Sequence, residues 1–339
     1  MLKGQNRLSR RTLLTGLGVL GIAGWSGYQL MAEESTAAIL PAMQRGKVSS
    51  PVLFDRQRLM QHIAMLAQPE WNGRMAGSSG EAKAGEYIAR EWQRYGLQPA
   101  GEGGTFFQSF PLPVLTLTSA GGRMRLAAGG VSDKKGDNLL ALVPGRHPEK
   151  WQELVVVSCH YDHLGRWGND LYPGANDNAS GVAVVLELAR RMVQKPPKRT
   201  VAFLAFSGEE AGLIGSRYFV AHPTLALEQV VAVLNLDSIG NFTEEYTYWA
   251  PESLPWRSLL TDHAEAVGIR LTEAAMNGHA SDHLAFVEQG IPAVTVLAAN
   301  WLEHNHTPRD LPEHVDPEGI MTIARWAWQV IMELAEGAR

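Results

Sequence analysis

The sequence predicts an α/β protein in which a largely parallel β-sheet is covered by helices on both faces. Two observations carry this. From Glu153 onward, short apolar runs rich in β-branched residues alternate with longer segments of helical periodicity, in the order LVVVSC, SGVAVVLELARRMV, TVAFLAF, GLIGSRYFV and VVAVLNL. The strand-like runs are apolar almost without interruption, the pattern of strands buried on both sides, so helices must lie above and below them.

The elements follow in chain order. Lys3, Arg7, Arg10 and Arg11 precede an uncharged, Gly-rich run over residues 13–31, which reads as an export segment. Within it, SRRTLLTGLG resembles a bacterial twin-arginine signal, with Leu13 where that pattern usually has Phe. The expectation is periplasmic delivery. An ordinary secretory signal or an uncleaved inner-membrane anchor is the alternative, because the run approaches the ~20 residues that span a bilayer. Residues 32–51 are small, polar and Pro-containing and read as a linker, leaving 52–339 as the folded body.

Apolar residues at helical spacing predict helices over 54–66 and 80–95, the second closed by Gly96 as a C-cap. Strands are expected over 108–117 and 138–143, with too little chain between them for an inserted domain. Beyond VVAVLNL come a helix over 255–267, the segment SDHLAFVEQG, a strand PAVTVLA and a last helix over 317–336.

Composition narrows the function classes. The 339 residues carry 30 Lys plus Arg against 35 Asp plus Glu, a net charge of −5 without a long basic run, so nucleic acid is not an expected partner. A single cysteine, Cys159, excludes an intramolecular disulfide. It ends a buried strand and reads as a packed thiol.

In open α/β sheets ligands bind beyond the carboxyl ends of the strands, and there the polar residues concentrate. LVVVSC runs into His160, Tyr161, Asp162 and His163. In extended chain His160 and Asp162 project to one side, which suits a metal-binding imidazole and a carboxylate that orients it. In PGANDNASG, Asp177 stands just before an apolar helix; Asp177 or Asn178 either caps that helix or Asp177 binds metal. TVAFLAF leads into adjacent Glu209 and Glu210, which point differently, so one can hold a metal while the other faces an attacking water as general base. VVAVLNL ends at Asp237, which needs either a cation or several backbone donors. EHNHTPRD offers His304 or His306, with Asp310 close by. Mixed imidazole and carboxylate donors of this kind suit zinc.

HYDH, GANDNASGVA, SGEEAGLIGS, NLDSIG and HNHTPRD, in this order, resemble the metal-site motifs of the M28 metallo-aminopeptidases, and GRMAGSSGEAKAGEYIA resembles that family's N-terminal element. The resemblance implies a three-layer sandwich with a mixed, mostly parallel sheet, in one domain over 52–339 without a protease-associated insertion. It implies two Zn2+ ions bridged by Asp177, with His160 and Asp237 completing one site and Glu210 and His306 the other. Glu209 then matches the general base acting on a metal-bridging water, and Asp162 the partner of His160. A cis peptide is implied between Asp177 and Asn178. SDHLAF resembles the segment lining the substrate pocket, which places Ser281, Asp282 and His283 there unless Ser281 or Asp282 simply caps a helix. Trp167 and Trp301 are expected to shape the pocket.

The implied activity is hydrolysis of the N-terminal residue from peptides with a free α-amine. The rivals are a glutaminyl cyclase, which shares a CHYD sequence at the first motif, and a carboxypeptidase or other two-metal amidohydrolase. A non-catalytic binding module is disfavoured because every ligand type is present.

Overall fold

The computed structural model describes residues 54–120, 123–275 and 279–337. The export segment and linker lie outside the described residues. The first part of the chain forms helices α1 (Arg56–Leu66) and α2 (Ser79–Tyr95), then strands β1 (Gln98–Pro99), β2 (Phe107–Pro111), β3 (Val114–Ala120), β4 (Arg123–Gly129) and β5 (Lys135–Val143). The middle contains β6 (Leu154–His160), β7 (Gly165–Trp167), β8 (Asp170–Tyr172), α3 (Gly181–Gln194), β9 (Thr200–Phe206), α4 (Ile214–Ala221) and β10 (Val230–Leu236). The last part contains β11 (Glu245–Trp249), α5 (Arg257–Val267), β12 (Arg270–Glu273), α6 (His283–Val287), β13 (Ala293–Ala298) and α7 (Pro317–Glu336). Among the described residues no helix is long and apolar enough to cross a membrane.

The helices begin and end where local chemistry directs. The Asp55 side chain accepts the Arg58 N–H at the start of α1, and that of Asp316 accepts the Glu318 N–H at the start of α7. The second helix stops at Gly96, whose φ of 89° few other residues adopt.

The main sheet has nine strands in the order β1-β5-β9-β6-β10-β13-β11-β12, with β2 also paired to β5. The centre, β9-β6-β10-β13, is parallel. The flanks are mixed, since β5 runs antiparallel to β9 and β11 antiparallel to β13. This is the mixed, mostly parallel sheet that was expected. Side chains alternate across it. Val155, Val157, Phe203, Leu234 and Val296 pack on one face with residues of α1, α2, α3, α5 and α7. Val156, Leu204 and Val233 pack on the other with Phe219 of α4 and Phe286 of α6. Three layers result. The parallel strands all end on one side, at His160, Phe206, Leu236 and Ala298, and there the functional residues gather.

Four readings change. The strand expected over 108–117 is two strands, because Pro113 has no N–H to continue a ladder. After Pro113 the chain leaves the sheet and β3 pairs only with β4, Val114 opposite Gly129, as a separate hairpin. Strands β11 and β12 extend the sheet beyond β13, from two stretches in which no strand was expected. The segment after SGEEA is helical only from Ile214, and the helix expected from 255 starts at Arg257.

Candidate metal centre

The centre is built on the turn between Gly174 and α3. Asp310 anchors it, its two carboxylate oxygens accepting the Asn176 N–H at 2.7 Å and the Asp177 N–H at 3.0 Å. Asn178 ties it to the end of β10, donating to Leu236 O at 2.9 Å and accepting the Ser238 N–H at 3.1 Å. The Asn178 oxygen also accepts the Gly181 N–H, so Asn178 stabilises the start of α3 and Asp177 is left for other work. Gly181 is obligatory, since a Cβ there would lie 2.4 Å from Asn178 Oδ1 and 2.5 Å from Leu236 O. The Asp177–Asn178 peptide is cis, as the resemblance implied.

The two oxygens of Asp177 face different partners. Oδ1 lies 3.3 Å from His160 Nε2, which is also 3.3 Å from Asp237 Oδ1. Oδ2 lies 3.2 Å from His306 Nε2, which is 2.9 Å from Glu210 Oε2. Thus His160 at the end of β6, Asp177 in the turn before α3, and Glu210, Asp237 and His306 from the segments after β9, β10 and β13 converge. Among the described residues two groups have donor atoms close enough to share a cation: His160, Asp177 and Asp237, and His163, Asp177 and Glu210.

His163 is the addition. It belongs to HYDH but not to the expected ligand set, yet its Nδ1 lies 2.6 Å from Glu210 Oε1 and 3.8 Å from Asp177 Oδ2. Its Nε2 is buried without a hydrogen-bond partner among the described residues. The signal available in the sequence was its position three residues after His160 on the same strand end.

Each histidine is oriented through its other nitrogen. His306 Nδ1 is 2.7 Å from the carbonyl of Met124, in β4, so it donates there and turns Nε2 to the carboxylates. His160 Nδ1 is 3.3 Å from the backbone carbonyl of Asp162. The Asp162 carboxylate, expected beside His160, has an oxygen 3.8 Å from Nδ1, and the same oxygen accepts the Glu209 N–H at 3.2 Å. His304 is not part of the centre; its ring stacks on His314 at 4.5 Å.

Electrostatics match a site for cations. Burial works against charge on both histidines, but Glu209 and Asp237 raise His160 well above its usual range, and Glu210 and Asp177 raise His306 to about 11. Burial would raise Glu210 too, yet His306 and His163 bring it to about 2. The carboxylates thus hold protons on the imidazoles where divalent cations would displace them. Glu209 behaves oppositely: burial, with Asp237, Asp282 and Glu210 nearby, pushes its carboxyl well up despite His160.

A pocket of about 310 Å³ opens onto these groups, walled by Trp249, Trp301, His279, Leu302, Arg123 and Arg125. Trp249 and Trp301 meet edge to face at 6.0 Å. Trp167 does not line the pocket; it sits in β7 and donates its indole N–H to Leu164 O. Ser281, Asp282 and His283 lie buried outside the lining; Asp282 stands at the N-cap position of α6, but its side chain makes no capping hydrogen bond. Ser281 Oγ accepts from Asn235, and Asp282, raised to about 7 by burial, has both oxygens without a hydrogen-bond partner among the described residues.

Arg74 holds the loops together from behind. It is fully buried and donates to the carbonyls of Leu66, Tyr161, Pro173 and Gly174 at 2.7–2.9 Å. Ser238 and His306 stand at φ of 49° and 57°, sparsely populated values for such residues, here beside the centre.

Fold and site together define a class, a three-layer α/β protein with a buried histidine–carboxylate centre suited to divalent metal. Residues 138–331 match the profile of Peptidase family M28, more than half of the chain, and the chain belongs to that family. It is similar to Aminopeptidase YwaD of Bacillus subtilis, 32% identical over 188 residues, covering 51% of this chain and 38% of the relative. It is also similar to Leucine aminopeptidase 1 of Trichophyton equinum, 27% identical, covering 59% of this chain and 58% of the relative. The chain thus spans well under two thirds of the length of either.

Among solved structures, BSAP, a zinc aminopeptidase from Bacillus subtilis, superposes with a TM-score of 0.69 at 19% identity, covering 86% of this chain and 97% of that one. Porphyromonas gingivalis glutaminyl cyclase superposes with a TM-score of 0.61 at 19% identity, covering 83% and 99%. These likenesses establish the fold.

Proposed function

We propose that the protein is an exported, zinc-dependent aminopeptidase that removes the N-terminal residue of peptides using two zinc ions. The observation that carries the reading is the division of Asp177, with Oδ1 toward His160 and Asp237 and Oδ2 toward His306 and Glu210. A carboxylate shared between two donor sets is what a pair of cations requires, and neutral imidazole with carboxylate oxygen is a donor set zinc accepts. His160, Asp177 and Asp237 would hold one ion; Asp177, Glu210 and His306 the other, with His163 against Glu210.

Two zinc ions held there would lower the pKa of water and stabilise the negative charge developing on the peptide oxygen. Glu209 lines the same pocket and carries no metal in this reading. It takes a proton from the attacking water and returns it to the leaving amine. Burial raises its carboxyl pKa, and cations bound beside it would draw that pKa back down toward a base's range. Asp162, accepting the Glu209 N–H, keeps that carboxyl in place. The free α-amine of the substrate enters the carboxylate-rich end of the pocket, which fits an exopeptidase.

A glutaminyl cyclase is the second reading, favoured by the fold shared with the Porphyromonas gingivalis enzyme. A complete second donor set on Asp177 argues against it. The deciding experiment assays aminoacyl anilides, N-blocked peptides and an N-terminal glutaminyl peptide, with and without chelator, alongside metal analysis. Chelator-sensitive cleavage of free-amine substrates only, at two zinc per chain, is expected. Cyclisation without anilide hydrolysis would overturn the reading.

Export through the basic, uncharged-core segment at residues 1–31, to the periplasm or to attachment at the inner membrane, is part of the proposal. Replacing Arg10 and Arg11 by Lys and fractionating the cells tests it. Unchanged export would argue for an ordinary secretory route.

A further inference from the structure

The β3–β4 hairpin is anchored to the metal centre and carries two arginines into its pocket. Met124 O receives the His306 Nδ1–H at 2.7 Å, and the Arg123 guanidinium donates to Asn305 O at 2.9 Å. Asn305 in turn donates to Asp177 Oδ2. Alternation along β4 puts Met124 and Leu126 on one face, where Leu126 packs with Leu164 and Tyr172. Arg123 and Arg125 share the opposite face, and both line the pocket together with Leu126.

Neither arginine has a carboxylate partner among the described ion pairs, whereas Arg217, Arg257 and Arg270, each at least partly exposed, do. Their cross-strand neighbours, Ala120 and Thr118, are uncharged. Nor are they counter-ions to the pocket acids. Asp177, Glu209, Glu210 and Asp237 line the same cavity without pairing with them, and two divalent cations would already balance those four charges. The Arg125 guanidinium, and the donors of Arg123 not used on Asn305 O, are therefore left on the pocket wall facing whatever enters. His279 also lines the pocket, and burial together with the charges of Arg125 and Arg123 lowers its pKa.

We propose that Arg123 and Arg125 form an anion subsite that selects peptide substrates bearing a carboxylate close to the scissile bond. The carboxylate is either an acidic N-terminal side chain or the free C-terminus of a dipeptide. Guanidinium forks match carboxylates in geometry as well as charge, and such contacts are stronger than neutral ones. This rests on the aminopeptidase reading for the position of the substrate.

Two matched pairs test it on the zinc-loaded full chain: Glu- against Gln-p-nitroanilide, and Leu-Gly against Leu-Gly-amide. In each, kcat/KM for the acid is divided by that for its neutral partner, in the wild type and in Arg125→Gln. Arg125 is exposed on β4, so the fold is not at stake, and Arg125→Lys retains the charge. A fall in the ratio of about tenfold, the scale of one charge-assisted hydrogen bond, is expected in Arg125→Gln with partial recovery in Arg125→Lys. A fall confined to the anilide pair identifies an acidic first residue; one confined to the dipeptide pair identifies the C-terminus. Ratios within twofold of wild type in both pairs overturn the proposal.

Calorimetric Kd values for the reduced-bond analogues of all four compounds, with –CH2–NH– replacing the scissile amide, separate the two readings. If the wild type cleaves none of the substrates, the peptidase reading fails. The same acid-to-neutral comparison of Kd then decides the subsite by itself, an unchanged ratio in Arg125→Gln refuting it.

Discussion

Arg74→Met is the sharpest test of how the centre is held. The guanidinium is buried and donates to four carbonyls that belong to three separate segments: the end of α1, the loop after β6 and the turn before Asp177. Gly174 O also accepts the Ala179 N–H, but those of Leu66, Tyr161 and Pro173 have no other partner among the described hydrogen bonds. Methionine fills much of the volume and supplies no donor. Three orphaned carbonyls at about 1–3 kcal/mol each give about 3–9 kcal/mol. Relief of the cost of burying the cation, which lowers the Arg74 pKa to about 10, offsets part of this. A net loss of about 3–5 kcal/mol is expected, the range for breaking a buried charged network. Urea denaturation monitored by circular dichroism, in chelator so that metal binding does not contribute, measures it. Because Arg74 links the His160 loop to the Asp177 turn, zinc affinity should fall as well. A stability loss under 1 kcal/mol with unchanged zinc binding would show that these carbonyls find other donors and that Arg74 is not what joins the segments.

Glu209→Gln should lower kcat by about 10²–10⁴-fold while the metal content by elemental analysis stays that of the wild type, and a kcat within tenfold would remove Glu209 as general base. Asp310→Asn should weaken zinc binding about 10–100-fold, since an amide cannot accept both the Asn176 and Asp177 N–H groups; competition with a chromophoric chelator measures it, and unaltered affinity would contradict the anchoring role. His62 is held from 6.5 down to about 4 by burial and by Arg58, Arg94 and Arg190. The folded state therefore stays neutral while the unfolded chain takes up a proton, so this group costs nothing above pH 6.5 and destabilises progressively as the pH falls to about 4. The full effect is at most about 3 kcal/mol. Subtracting the urea-derived stability profile of His62→Gln should expose that slope, and parallel profiles between pH 7 and 4 would refute it.

What was legible in the sequence was local. The helices α2 and α7 follow from periodicity closed by Gly96 and Gly337 in left-handed conformation, and the buried strands from uninterrupted apolar runs. Five candidate ligands could be named because a parallel sheet sends its polar residues to one end. The hairpin β3–β4 was missed although RMRLAAG alternates, because the preceding strand reading ran through Pro113 and absorbed its partner. His163 was missed because spacing on a strand does not say where the chain turns after it. The spacing placed Asp162 beside His160, and it did not show that the same carboxylate oxygen also accepts the Glu209 N–H, a contact made between distant segments.

The sequence by itself determined which residue types stand at the strand ends, and hence the family and the chemistry on offer, since apolar period and donor type are properties of short segments. Only the tertiary structure decided that β9, β6, β10 and β13 lie side by side and that Asp177 turns one oxygen to each donor set. Strand order depends on pairings between residues far apart in the chain. The aim of a side chain depends on turns such as those at Ser238 and His306, whose positive φ angles the surrounding packing imposes.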